Sequence, residues 1–188
     1  MAEHRGRGRD RDRDRDKEWR EELIGITRVT KVVAGGKRMN FRAIVVIGDE
    51  RGRVGLGLGK ALEVADAIKK GTQDARKNLI RLPLVESTIP HEIIGRQGAS
   101  RILMRPAAPG TGVVAGGAAR IVLSVAGVRD VLAKSMGSSN AMNLAKATFN
   151  GLRNLRDPRE VAELRGVPLK HVWTHPRLPS FAREEKAT

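Results

Sequence analysis

Three apolar runs near the start of the chain have the pattern of β-strands. Residues 23–33 and 41–48 are rich in β-branched side chains, and residues 54–59 alternate valine or leucine with glycine. Runs of this kind, separated by turn-forming residues, are typical of strands. Residues 34–40 contain two adjacent glycines and are predicted to form a loop, and residues 49–52 are predicted to form a hairpin turn. The pattern therefore predicts a three-stranded meander.

The third of these strands has one bare face, because side chains alternate along a strand and every second residue is glycine. The glycines are Gly55, Gly57 and Gly59. A phosphate-binding loop is not indicated, since Val54 stands where such a loop needs its first glycine and Ala61 where it needs a hydroxyl group. A bare strand face marks the close approach of a ligand or of another backbone, and the sequence leaves both interpretations open.

A helix is predicted to follow the meander, because apolar residues recur at three- and four-residue steps between residues 62 and 82. Its predicted inner face consists of Leu62, Ala65, Ile68, Thr72, Ala75, Leu79 and Leu82. Together with its excess of basic residues, this β-β-β-α unit resembles a double-stranded-RNA-binding domain that lacks the first helix.

A second unit begins after Pro83. Strands are predicted at residues 88–95, 100–107 and 128–135, with a helix at residues 116–127 between the last two. Strands that come in hairpins, rather than alternating singly with helices, favour two small α+β domains over one wound sheet.

Two further helices are predicted after the last strand. The first spans residues 137–155 with Ser138 or Ser139 as its N-cap. Its predicted inner face consists of Ala141, Leu144, Ala145, Thr148, Leu152 and Leu155. The second is short, with Asp157 as N-cap, Pro158 in the first turn, Glu160 completing a capping box and Gly166 past its end.

The predicted domain organisation has four parts. Residues 1–22 contain a run of alternating arginine and aspartate, carry no apolar stripe and are predicted to be a disordered tail. Residues 23–84 form the RNA-binding-like domain, residues 85–166 the second domain, and residues 167–188 an irregular extension with three prolines.

The charge of the chain indicates a polyanionic partner. The 188 residues have a net charge of +15, and the tail contributes nothing to it because its eight basic and eight acidic residues cancel. The whole excess therefore belongs to residues 23–188, and nucleic acid is the first candidate partner and an anionic membrane surface the second. No apolar run reaches the roughly 20 residues of a membrane span, and the N-terminus lacks the apolar core of a signal peptide. The absence of cysteine excludes disulfides and fits a reducing cytosol.

Candidate RNA-binding residues lie on the strands and loops of the first domain, where cations meet phosphates without reading base edges. They are Arg28, Lys31, Gly35, Gly36, Lys37, Arg38, Arg42, Arg51, Arg53, Gly55, Gly57 and Lys60. Stacking of bases on aromatic side chains is not favoured, since the chain has only three phenylalanines, two tryptophans and no tyrosine.

Two long strings carry a family resemblance. GGKRMNFRAIVVIGDERGRVGLGLGKA, residues 35–61, and PAAPGTGVVAGGAARIVLSVAGVRDVLAKSMGSSN, residues 106–140, are similar to the family of the fifth protein of the bacterial small ribosomal subunit. The likeness extends collinearly over about residues 20–166. The Arg-Asp tail and the proline-containing C-terminus depart from the usual pattern of the family.

The resemblance implies a fold, a role and partners. It implies a second domain with a left-handed βαβ crossover, and a structural role in the ribosome with no catalytic residue, cofactor, metal or small-molecule substrate. The partners it implies are small-subunit ribosomal RNA near the decoding region and the mRNA entrance, and the fourth and eighth proteins of the same subunit. It places Gly110, Gly112 and Arg120 at a protein interface, and the protein in the ribosomes of the cytoplasm or of an organelle of bacterial origin.

Rival functions have weaker support in the sequence. Glycines before a helix at residues 106–119 faintly resemble the loop of small-molecule kinases, but the acids in the core of the second domain, Glu86, Glu92 and Asp130, are scattered without a pairing motif. His171 and His175 have helical spacing, yet prolines bracket them and no glutamate lies between, so no metal site is predicted. A free-standing regulator that binds duplex RNA would have the same basic first domain, and only the resemblance disfavours it.

Overall fold

The first sheet has four antiparallel strands. The computed structural model describes residues 19–172, beginning with strands β1 (Arg20–Val33), β2 (Gly36–Gly48) and β3 (Arg53–Ala61). Helix α1 (Val64–Lys77) follows, and a short strand β4 (Leu79–Arg81) returns to the edge beside β3. The predicted meander and helix are confirmed, whereas the last turn of the predicted helix is strand β4.

The second sheet contains both antiparallel and parallel strand pairs. The elements of this domain are β5 (Ile93–Gln97), β6 (Ser100–Pro106), β7 (Val113–Val114), α2 (Gly117–Val125), β8 (Val131–Gly137), α3 (Ala141–Arg153), α4 (Pro158–Arg165) and α5 (Leu169–Val172). The strands lie in the order β5-β6-β8-β7. Strands β7 and β8 pair in parallel with α2 between them, which makes the βαβ unit of this domain. Two sheets with their own helices confirm the predicted pair of α+β domains.

The first hairpin is longer than predicted at both ends. Residues 20–22, predicted to belong to the tail, pair with β2, and Arg20 forms an ion pair with Glu50 at 2.6 Å. At the other end the predicted loop of residues 34–40 is a two-residue turn, because Gly36 already pairs with Val33. Gly35 and Gly36 have φ values of +92° and +147°, which let the chain reverse within two residues. The rest of the predicted tail, residues 1–18, lies outside the described residues.

Several boundaries in the second domain also differ from prediction. Residues 88–92 are not strand, and Thr88 makes only isolated bridges to Val85 and Asp130. Strand β7 was not predicted, and β8 begins three residues late and ends two residues later than expected.

The helix caps are partly as predicted. The N-cap of α3 is Asn140 rather than Ser138 or Ser139, since its side-chain oxygen accepts a hydrogen bond from the Met142 N–H at 3.1 Å. Asp157 caps α4 as predicted, and Gly166 ends it in the left-handed conformation. Part of the region predicted to be irregular, residues 167–188, is helix α5; residues 173–188 lie outside the described part of the chain.

The bare face of β3 is covered by helix α1. A Cβ added at Gly55 would lie 2.3 Å from the carbonyl oxygen of Ala75. A Cβ at Gly57 would lie 2.1 Å from that of Gly71, and one at Gly59 would lie 1.8 Å from that of Ala67. The expectation that Gly55 and Gly57 admit RNA is therefore wrong, because both are buried under the helix backbone.

Small residues make this contact possible on the helix side as well. The buried residues of α1 are Ala67, Gly71, Thr72 and Ala75, whereas the predicted inner-face residue Leu62 precedes the helix and is 75% exposed. The predicted inner face of α3 is mostly confirmed, with Ala141 exposed as the exception.

The two domains share a core through the other face of the first sheet. Alternate residues of β2 point to opposite sides, so that Val45 and Ile47 pack with α1 while Ile44 and Val46 pack with the helices of the second domain. Two main-chain hydrogen bonds join the domains at the β2–β3 turn, from the Glu50 N–H to the Val125 carbonyl at 3.3 Å and from Gly52 to Ala126 at 3.0 Å. The first sheet is thus held from both sides.

Candidate nucleic-acid interface

Four of the candidate cations share one face of the first sheet. Residues that pair across strands point to the same side, and Lys31 pairs with Arg38 while Arg42 pairs with Lys60. Arg38 and Arg42 are separated by an even number of residues in β2, so both pairs lie on the same side. We call Lys31, Arg38, Arg42 and Lys60 the basic face of the hairpin.

The reverse face of the hairpin combines fewer cations with apolar side chains. Lys37 pairs with Val32, and Arg28 pairs with Phe41. The Arg28 guanidinium contacts the sulfur of Met39 on this face. Lys37 and Arg38 therefore point to opposite sides, although they are adjacent in sequence.

The end of the hairpin extends into solvent. Most residues of β1 and β2 between Phe41 and the turn are exposed. No atom lies within 4 Å of a Cβ added at Gly35 or Gly36. The buried cluster between the first sheet and α1 ends at Phe41 and Ala61, so the tip projects past the helix. The tip is therefore accessible from solvent on both faces.

Arg42 connects the exposed tip to the packed part of the sheet. Arg42 is half-buried, and its Nε atom is buried without a hydrogen-bond partner among the described residues. A buried donor without an acceptor is costly, so an ordered water or a partner's acceptor, such as a phosphate oxygen, would stabilise this residue.

Arg51 and Arg53 lie at the opposite end of the sheet from the hairpin tip. The 12 residue steps of β2 from Gly36 to Gly48 separate the two ends by about 40 Å at about 3.3 Å per residue. The candidate residues predicted as one group are therefore two separate groups.

The side chain of Arg53 is already engaged within the protein. Its Nε atom donates to the Asp49 carboxylate at 2.6 Å, and its guanidinium carbon lies 4.9 Å from the centre of the Trp19 ring. Burial raises the pKa of Asp49, but the hydrogen bond from the Arg53 side chain and those from the Arg51 and Arg53 main-chain N–H groups outweigh it, so this pKa is lowered. Asp49 thus remains ionised and holds the β2–β3 turn, and Arg51, unlike the equally exposed Arg53, forms no ion pair within residues 19–172.

In the second domain, a buried carboxylate shapes the glycine-rich loop of residues 108–112. One oxygen of Asp130 accepts hydrogen bonds from the N–H groups of Gly110 at 2.9 Å and Gly112 at 3.0 Å, and the other accepts from the Ser87 hydroxyl. The Ser87 hydroxyl and the Gly112 N–H are the main causes that lower the pKa of Asp130. In the sequence Asp130 is only a scattered acid, because its hydrogen-bond partners are about 20 and 43 positions away in the chain.

The three candidate interface residues lie around this loop. Gly110 and Gly112 have φ values of +89° and +78°, and a Cβ at either would meet no atom within 4 Å. Arg120 is exposed in the first turn of α2, and its Nη2 atom donates to the Val113 carbonyl oxygen at 3.2 Å. The structure therefore brings Arg120 beside the strand that leaves the loop.

The described residues offer little to other functions. Residues 19–172 contain no group of three or more histidine, cysteine, aspartate or glutamate side chains placed to hold a metal ion. In the same range, no helix has the length and apolar content needed to cross a membrane. Of the two histidines considered for a metal, His171 lies in α5 and His175 is outside the described residues.

Comparison with known families matches both domains. Residues 19–83 match the family model described as ribosomal protein S5, N-terminal domain, and residues 95–165 match that of ribosomal protein S5, C-terminal domain. The two matches together cover most of the chain and follow its two sheets.

Similar proteins come from several bacteria. The chain is 52% identical over 157 residues to "Small ribosomal subunit protein uS5" of Thermotoga neapolitana, covering 84% of this chain and 88% of the relative. It is 56% identical over 156 residues to the protein of that name from Nostoc punctiforme, covering 82% and 89%. With the Acaryochloris marina protein of that name it shares 52% over 174 residues, covering 92% and 98%.

Proposed function

The chain belongs to the ribosomal protein S5 family, a family of structural proteins rather than enzymes, and we propose that it binds small-subunit ribosomal RNA through the first hairpin. As a member of this family it is a ribosomal protein. The basic face and the projecting tip would contact phosphates of a folded RNA, with Lys37 and Arg28 on the reverse side and Gly35 and Gly36 at the turn.

The basic face is the observation that carries this proposal. Four cations lie on two adjacent strand pairings, and none forms an ion pair within the described residues. Like charges placed opposite one another destabilise a sheet unless a polyanion neutralises them. A duplex spaces its phosphates regularly, and such contacts position a protein without reading base sequence. The exposed Arg51 at the far end of the sheet would make a second, separate contact.

The glycine-rich loop is proposed as a protein interface. Asp130 holds the loop in one conformation, so Gly110 and Gly112 present main chain without side chains to a neighbour. We infer that this neighbour is the fourth protein of the small subunit, that the eighth also contacts the chain, and that the chain lies near the mRNA entrance. An interface of main chain and Arg120 would be polar and small, so it would break and reform as the cytoplasmic ribosome changes shape during decoding.

Association with the small subunit is the first test. The tagged full-length chain, expressed in bacteria, is expected to sediment with small subunits and to remain bound when salt is raised to a moderate concentration. Retention on duplex RNA alone, with no protein in the subunit fraction, would favour the free-standing regulator of duplex RNA. Absence from both fractions would refute RNA binding.

Arg120→Leu is expected to raise misreading without preventing assembly. The substitution removes the cation and its hydrogen bond to Val113, and thereby weakens the interface in the state that rejects poorly paired tRNA. Reporters of stop-codon readthrough and missense incorporation measure misreading, and sedimentation profiles of the ribosomal subunits measure assembly. Arg153→Leu, at an exposed position at the end of α3, is the matched control and should leave both unchanged. Normal fidelity in Arg120→Leu, or a defect in assembly alone, would contradict the proposal.

A further inference from the structure

One face of the second sheet is left open by the described residues, 19–172, and its exposed apolar side chains form a strip. The inner side chains of this sheet, such as Ile102, Met104 and Val131, are buried in the core. The alternate residues of the same strands point outward, and among them Ile94, Leu132 and Val114 are 43%, 42% and 50% exposed.

These residues are neighbours across the strands. Ile94 pairs with the half-buried Leu103, and Val114 pairs with Leu132. Leu103 pairs with Lys134, which places Leu132 on the diagonal from Leu103 on the same face. We call Ile94, Leu103, Leu132 and Val114 the apolar strip; it crosses all four strands of the sheet.

A cluster of unpaired cations borders the strip. Arg96 and Arg101 lie directly opposite one another on β5 and β6, and Lys134 is on the next strand. None of the three forms an ion pair within residues 19–172, whereas Arg105 on the same face is paired with Glu92 at 2.8 Å. Two arginines in a directly opposed pair repel each other, so an acidic partner would relieve this repulsion.

We propose that this open face docks a protein of the small subunit whose surface has an apolar centre flanked by carboxylates. The strip would form the apolar core of the interface, and Arg96, Arg101 and Lys134 would form its charged rim, the usual arrangement of a protein–protein contact. This inference rests on the proposed function and adds a second docking surface to it.

RNA and a second copy of the chain fit the face less well. Phosphates offer no apolar surface and riboses only a little to cover four aliphatic side chains, and the face has no aromatic residue on which a base could stack. Two copies meeting face to face would place the three cations of each copy in one interface, where they would repel one another. An acidic, partly apolar protein surface would complement both the apolar strip and the cations that border it.

The open face continues into the loop proposed above as a protein interface. Val114 stands two residues after Gly112, and the carbonyl of the preceding Val113 accepts the hydrogen bond from Arg120. Strands β5, β6, β8 and β7 have 5, 7, 7 and 2 residues. At about 3.3 Å per residue and about 4.8 Å between strands, they give a face of roughly 300 Å². Stable stand-alone complexes bury about 800 Å² on each partner, so docking is expected inside the assembled subunit, where RNA holds both proteins.

Photocrosslinking in assembled subunits tests the proposal. A p-benzoylphenylalanine probe replaces Leu132 in the full chain, subunits are purified and irradiated, and the crosslinked species are identified by mass spectrometry. We expect a crosslink to another small-subunit protein, at apolar residues flanked by aspartate or glutamate. The same probe at Lys69, on the exposed side of α1, is the control and should not give this product. If the Leu132 chain does not enter subunits, the probe is placed at Met136, on the same face.

A second variant tests the charged rim. Arg101→Glu combined with Lys134→Glu should lower the yield of that crosslink about fivefold or more, since rim attraction becomes repulsion. A crosslink to ribosomal RNA or to a second copy, no crosslink from either probe position, or a yield unchanged by the double substitution would each overturn the proposal. Failure of the chain to sediment with subunits would instead refute the proposed function.

Discussion

Gly59→Ala is expected to lower the free energy of unfolding by about 3 kcal/mol or more. The new Cβ would lie 1.8 Å from the Ala67 carbonyl oxygen and 2.5 Å from the Gly71 nitrogen. Both are main-chain atoms of α1 and cannot rotate away, so the helix must move off the sheet. Chemical unfolding of the isolated chain, followed by circular dichroism, measures the loss.

Gly25→Ala is the matched control for this substitution. Gly25 also lies in a strand of the first sheet, but a Cβ there would meet no atom within 4 Å. Its effect is expected to stay within about 0.5 kcal/mol. Equal stability of the Gly59→Ala and Gly25→Ala variants would mean that α1 does not pack on β3 at this distance.

The match between β3 and α1 was available in the sequence. Two residues along a strand advance about 6.6 Å and four along a helix about 6.0 Å, so glycines at every second strand position can face small residues at every fourth helix position. Gly59, Gly57 and Gly55 meet Ala67, Gly71 and Ala75 in this way. The alternation along β3 predicted a bare strand face. That a helix covers this face follows only when the spacing of glycines in the strand is compared with the spacing of small residues in the helix.

Other features depended on distant parts of the chain. Residues 36–40 resemble a loop locally, and they become strand because β1 supplies a partner for each of them. Asp130 acquires its role only where the chain brings Ser87 and the loop of residues 108–112 to it. Single-sequence patterns describe local preference and amphipathic faces, whereas these features are set by long-range pairing.

The division of the candidate cations has the same origin. Arg51, Arg53 and Lys60 are close in sequence, but β3 carries Lys60 away from the turn that holds the two arginines, toward the hairpin tip. Cross-strand register then places Lys60 beside Arg42, and Arg38 beside Lys31. Charge counting predicted a basic first domain, and the pairing of strands decides which charges act together.

Removing three cations from the basic face is expected to weaken binding to small-subunit ribosomal RNA about 100-fold near 0.15 M salt. The variant combines Lys31→Gln, Arg38→Gln and Lys60→Gln, and leaves the half-buried Arg42 in place. Each lost phosphate contact reduces the salt dependence by about 0.7 to 0.9 in the slope of log K against log salt, so the slope should fall by roughly 2 to 3. Filter binding at several salt concentrations measures both quantities.

The matched control removes the same charge from another surface. Lys69, Lys70 and Lys77 are exposed on α1, and changing all three to glutamine gives the same net charge. If the position of the cations matters, this variant should bind RNA nearly as the parent chain does. Equal losses in the two variants would show that net charge alone drives binding and would refute a defined basic face. Both variants are expected to unfold at nearly the parent temperature, because all six side chains are exposed.

Single substitutions at the tip separate its two sides. Lys37 and Arg38 are neighbours in sequence and lie within one residue of each other along the strand, but they point to opposite faces of the hairpin. Arg38→Ala removes a member of the basic face, whereas Lys37→Ala removes a cation that lies among Val32 and Met39. We expect Arg38→Ala to cause the larger loss of RNA affinity and of salt slope, since Arg38 lies on the same face as Lys31 and Arg42 and would act together with them. A larger effect at Lys37 would mean that the RNA lies against the apolar side of the hairpin, and would move the interface to the reverse face.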